Sequence, residues 1–178
     1  MHDDVNTKKL VLSTKPNVNL KRNEIINEDD ITYTQQLSIL NQFYMDMEDT
    51  NANKNKDKDN VKTTLLRELE KKWYGYRQQD IKKDIYNENK FIAYADIIEK
   101  LVASKLKCYY CRTDMKIIYK FVRDNQQWTL DRIFNDDGHT KENTIVCCLK
   151  CNLERRCTHI DKFDFTKKLS ISKIKKIV

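Results

Sequence analysis

Four of the six cysteines fall in two C-x-x-C pairs, Cys108-Tyr109-Tyr110-Cys111 and Cys148-Leu149-Lys150-Cys151. Such a pair sets two thiolates a metal ion's width apart. Two pairs complete a closed tetrahedral S₄ set, the kind that holds a structural zinc ion. No coordination position is then left for water, so the ion would staple the fold rather than catalyse. The 36 residues between the pairs leave room for a β-hairpin with a loop. Met1-His2-Asp3-Asp4 lacks the apolar stretch of a signal peptide, which points to an intracellular protein. In a reducing compartment, paired cysteines read as metal ligands rather than disulfides. Cys147 and Cys157 are left over, and a ligand set drawing on Cys157 and His159 stays open.

Between and just after the pairs lie polar residues with a second kind of chemistry. Trp128-Thr129-Leu130-Asp131-Arg132-Ile133 is followed by Asn135-Asp136-Asp137-Gly138-His139. Asn143-Thr144-Ile145-Val146 comes next, then Cys148-Leu149-Lys150-Cys151-Asn152. In order and spacing, this stretch closely resembles the zinc-containing HNH (His-Me finger, ββα-metal) endonucleases. The likeness is greatest to HNH-like proteins of large DNA viruses and phages. It covers about residues 105–170, and residues 1–90 add nothing to it.

The resemblance implies a role for each matched position. Asp131 and Asn152 would be ligands of one catalytic divalent ion, and Asn143 would fix the loop. Oxygen ligands suit Mg²⁺ or Mn²⁺. The family's general base is a histidine directly after the aspartate, and here that position is Arg132. An arginine stays protonated and cannot take a proton from water, although it can grip a phosphate. His139 is the nearby imidazole whose ordinary pKa suits a base, or else a loop histidine held by a structural hydrogen bond.

The formal net charge is +7, and it is unevenly spread. Residues 108–178 hold 15 Lys+Arg against 9 Asp+Glu, a net of +6. A basic half points to a polyanion partner, here DNA. Arg132, Lys150, Arg155 and Arg156 are the candidate phosphate contacts, with a solvated helix face as the plainer alternative. Tyr109 and Tyr110 could stack on bases or pack around the cysteines.

The elements that must position these groups give an α+β protein, with helices first and a small zinc-stapled ββα module after them. Residues 1–28 read as extended or disordered. Residues 29–107 read as helical with a linker at about 48–60, and residues 108–178 as the HNH-like module with a basic tail. Glu28-Asp29-Asp30 offer caps to a helix carrying Tyr33, Leu37, Leu40, Tyr44 and Met47 on one face. A second helix runs from about Val61 to Tyr76 and weakens at Gly75, with Ile81 and Ile85 continuing it beyond a break. A third spans Tyr94 to Leu106. Ile117-Ile118-Tyr119, Trp128-Thr129-Leu130 and Thr144-Ile145-Val146-Cys147 read as strands. From Cys148 the pattern returns to helix. Phe163, Phe165, Leu169 and Ile171 could pack back on the module, and Lys173-Ile174-Lys175-Lys176 forms the tail.

No run of residues is apolar enough to span a membrane. Three functions remain: a DNA endonuclease, a non-catalytic nucleic-acid-binding protein that keeps the fold, and a viral assembly protein. In the last, the N-terminal helices would meet a protein partner. A viral origin would put the chain in the virion or the infected cell.

Overall fold

A computed structural model describes residues 31–48 and 60–169. Helix α1 covers Tyr33–Glu48 and begins at a capping box. The Thr32 hydroxyl accepts from the Gln35 amide (3.3 Å) and the Gln35 side chain accepts from the Thr32 amide (2.8 Å). The caps expected at Glu28-Asp29-Asp30 lie outside the described residues. So do nearly all of the linker, the first 28 residues, Ile171 and the basic tail. Leu40 is fully buried, whereas Met47, at the end of the stripe, is exposed.

Helix α2 covers Asn60–Lys82 and passes Gly75 without a break. The sequence expectation of a weakening there is corrected. Leu65, Leu69, Tyr76 and Asp80 form a buried stripe on both sides of the glycine, and that burial outweighs its cost in backbone entropy. The helix ends at Lys82, just before Asp84, whose φ of 59° cannot continue it. Helix α3 covers Tyr94–Ala103, with the Asp96 carboxylate accepting from the Ala93 amide. It is shorter than expected, because Lys105 and Leu106 turn left-handed (φ 52° and 51°) and lead into the first cysteine pair.

The sheet described has two strands, β1 (Trp128–Arg132) and β2 (Thr144–Cys148), antiparallel with Leu130 opposite Val146. The strand expected at Ile117-Ile118-Tyr119 does not form. The amides of Ile117 and Ile118 both donate to the buried side chain of Gln36 on α1, at 2.8 and 2.9 Å. A side chain from another element thus takes the donors that a ladder would need. Helix α4 (Leu149–Arg155) follows β2 directly, and α5 (Ile160–Lys168) closes the described chain. Phe163 on α5 packs edge-on against Tyr110 (4.8 Å between ring centres), while Phe165 and Leu169 are exposed. One buried apolar cluster joins Leu40, Leu65, Ile97 and Trp128, so the helices and the hairpin share a core. No described helix is long and apolar enough to cross a membrane.

Candidate metal centre and groove

The chain doubles back after α3 so that the first cysteine pair meets β2. The Cys108 amide donates to the Thr113 carbonyl (2.9 Å), and the Tyr109 amide donates to the Val146 carbonyl (3.1 Å). Arg112 takes a left-handed φ of 59° to close the turn. The sulfurs of Cys108, Cys111, Cys148 and Cys151 then lie within 4.8 Å of one another, with Cys111 and Cys148 3.8 Å apart. Four sulfurs bound at about 2.3 Å to one tetrahedral ion would stand about 3.8 Å apart, so the set fits a metal ion such as zinc. In the thiol state, a hydrogen bond from Cys148 pulls the Cys108 thiol down and pushes the Cys148 thiol up. A bound cation would favour thiolate at all four. Cys147 is buried beside the Thr129 hydroxyl and Cys157 is exposed. Neither joins the cluster, and His159 instead caps α5.

Beside this cluster an open groove of about 740 Å³ runs between α2 and the β1–α4 face. Asp131, Arg132, His139, Asn152 and Arg156 all line it. Lys150 is exposed and lies outside it. Arg155 is not a surface cation. It is fully buried, and its guanidinium grips Asp131 through two hydrogen bonds, Nε to Oδ2 at 2.6 Å and an η-nitrogen to Oδ1 at 2.7 Å. Its reading as a phosphate contact is therefore corrected. That grip raises the Arg155 pKa further.

The Tyr110 hydroxyl also donates to Asp131, at 2.7 Å. Burial, then the neighbouring carboxylate, pushes its phenol up, so it stays a donor. Tyr110 is thus spent on packing and on this bond rather than exposed for base stacking. Asn152, one turn before Arg155, directs its amide nitrogen at the Thr129 hydroxyl (3.1 Å) and the Leu130 carbonyl (3.2 Å).

Asp131 and Asn152 therefore share a groove but turn to different partners, not to each other as expected. A divalent ion bound to Asp131 would compete with a buried guanidinium for the same two oxygens. The donor set as it stands does not fit a preformed catalytic ion site.

His139 is only 4% exposed. Its Nδ1 lies 2.6 Å from Asp80 Oδ1, and its backbone amide donates to Asp80 Oδ2 at 2.6 Å. This carboxylate favours the tautomer with a proton on Nδ1 and a lone pair on Nε2. Burial holds the imidazole below its ordinary pKa, with Asp80 pulling the other way and the charges of Arg132 and Lys83 adding to the lowering. Gly138 permits the close approach, since a Cβ there would stand 2.7 Å from the Ile85 carbonyl oxygen.

Asn143 stitches the loop shut. Its side-chain oxygen accepts from Phe134 N (2.8 Å), and its amide nitrogen donates to the carbonyls of Phe134 and Gly138 (3.0 Å each). Arg132 donates to the Asp137 carbonyl (3.0 Å) in the same loop.

Sequence reasoning missed Asp80 and the partnership of Arg155 with Asp131. Both left a signal. Asp80 is an acidic residue on the apolar stripe of α2, four residues after Tyr76. Arg155 follows Asn152 by three residues, so it shares that residue's face of α4.

The fold and site define a mixed helix–strand protein with a four-cysteine cluster able to hold a metal ion. Compared with protein-family models, curated proteins and solved structures, the chain matches none.

Proposed function

We propose that the groove is the active site of an HNH-type endonuclease that hydrolyses DNA phosphodiesters, and that the cysteine cluster holds structural zinc. The observation carrying this reading is His139, which lines a basic groove while the buried Asp80 carboxylate behind it holds its Nδ1. A carboxylate that orients a neutral imidazole is the arrangement a general base needs. His139 Nε2 takes a proton from water as the water oxygen bonds to phosphorus. The P–O3′ bond breaks, and the departing oxygen draws its proton from solvent. Arg132 holds the non-bridging oxygens and spreads their developing charge. No step is assigned to a divalent ion.

Purified protein with Mg²⁺ or Mn²⁺ is expected to nick supercoiled plasmid, and His139→Ala to lower the rate by at least about 100-fold with DNA affinity kept. Because burial depresses the His139 pKa, the neutral base persists down through pH 6.5. The midpoint of the acid-side loss of nicking should therefore lie below pH 6.5. An active His139→Ala protein, or a rate already half lost above pH 7, would remove His139 from the mechanism.

One observation favours a second reading, a nucleic-acid-binding protein without catalysis. Arg155 neutralises the carboxylate that the family resemblance assigns to the ion. A wild-type protein that binds DNA and never nicks it, with any divalent ion, selects this reading. Both readings predict salt-sensitive binding. Phosphate contacts by Arg132 and Arg156 alone give a slope of about −1.8 in log affinity against log salt, a loss of about 12-fold between 50 and 200 mM. A flat profile would rule out both.

A further inference from the structure

Helix α2 forms one wall of the groove. Lys71, Gly75, Gln79 and Lys83 recur at every fourth position and all line it, facing Arg132, Asn152 and Arg156 across the opening. Lys71, Gln79 and Lys83 are exposed. Gly75 is the unusual member. A glycine inside a helix weakens it, so its place normally answers to tight packing or a special backbone angle. Gly75 has neither. It is absent from the positive-φ residues, and a Cβ built on it would meet nothing within 4 Å. The fold leaves this glycine unexplained, and the groove explains it. A missing side chain at the middle of the α2 wall lets a ligand's backbone come close to the helix.

The charge around it is one-signed. Asp131 is the one carboxylate among the described residues lining the groove, and Arg155 already neutralises it. By contrast, the neighbouring cleft of about 650 Å³, which His139 also borders, carries Asp80, Asp136, Asp137 and Glu142 against Lys90, a balance that would repel a polyanion.

We infer that the Lys71–Gly75–Gln79 face of α2, with Lys83 in the turn just after it, is the second wall of a DNA-strand channel, with Lys71 and Lys83 as phosphate contacts and Gly75 as the point of closest approach. This rests on the nucleic-acid reading of the groove and extends it to the N-terminal helices. The strand lies between α2 and the hairpin, with the His139 imidazole at one edge.

The test pairs stability with binding. Gly75→Gln adds a good helix former into open space, so the melting temperature should hold or rise. The same side chain should obstruct the channel and weaken binding of a fluorescein-labelled DNA duplex at least tenfold. Lys71→Gln/Lys83→Gln, made at exposed positions, should flatten the salt slope by about 1.8 relative to wild type. Unchanged affinity in Gly75→Gln, or an unchanged slope in the double variant, overturns the proposal and leaves the hairpin-side reading intact. A wild-type protein that binds no duplex sinks the nucleic-acid reading itself. Polyglutamate bound as tightly as the duplex would make the groove a site for acidic protein and overturn the assignment to DNA.

Discussion

Cys151→Ser is expected to unfold the hairpin and the helix after it, not merely to loosen them. Cys151 is buried at the start of α4, and its partners reach it from the loop after α3 and from the end of β2. A metal ion held by all four sulfurs closes a loop of some forty residues and fixes both ends of the hairpin at once. Binding energy of this kind is folding energy, on the order of 10–16 kcal/mol for structural zinc in small domains. A serine hydroxyl is a poor fourth ligand, and it also leaves three sulfurs crowded within 4.8 Å with no cation to hold them. The measurement is near-ultraviolet circular dichroism with thermal melting, alongside elemental analysis. The expected outcome is loss of the cooperative transition, reproduced in the wild type by a strong chelator. A Cys151→Ser protein with an unchanged melting temperature would show that no ion staples the fold.

The second large effect is expected at Arg155. Arg155→Met keeps the side-chain volume but strands the Asp131 carboxylate, which is 5% exposed, with the Tyr110 hydroxyl as its remaining side-chain partner. Breaking a buried ion pair on one side costs roughly 3–5 kcal/mol, and for a chain of this size that is a fall of about 6–20 °C in melting temperature. Asp131→Leu/Arg155→Met removes the charge together with its partner. Most of the loss should return, short of the hydrogen bond that Tyr110 gives up. A single variant within about 1 kcal/mol of wild type would mean that the pair contributes little to the stability of the fold. The cycle also bears on the catalytic question. A double variant that folds, binds DNA and no longer nicks would implicate the pair in the reaction, whereas one that nicks normally would confine it to structure.

Spacing alone carried the helices and the cysteine cluster. The four-three repeat of Tyr33, Leu37 and Leu40 needs nothing beyond the geometry of one helix, and two C-x-x-C pairs need little beyond tetrahedral coordination. What sequence could not reach were partnerships across the chain. Ile117 and Ile118 are as β-prone as any residues here, yet a glutamine 81 residues before Ile117 takes their amide donors and no ladder forms. Gly75 reads as a weak point when its helix is judged by propensity. The burial of Leu65 and Leu69 before it, and of Tyr76 and Asp80 after it, outweighs that cost. At the site, the resemblance named Asp131 and Asn152 as partners because both match one motif. The side chain that answers Asp131 belongs to a residue outside that motif, and the carboxylate that answers His139 belongs to a helix outside the resemblance altogether.

That last bond bears on portability. A fragment beginning at Cys108 would carry every position the family likeness picks out, and it would lack Asp80. His139 would lose the group that sets its tautomer, and the loop would lose the acceptor for its backbone amide. Gly138 would lose the surface it was cut to fit. The hairpin is therefore not a cassette that can be lifted onto another scaffold. Its working unit includes the far end of a helix that begins 48 residues before the first cysteine.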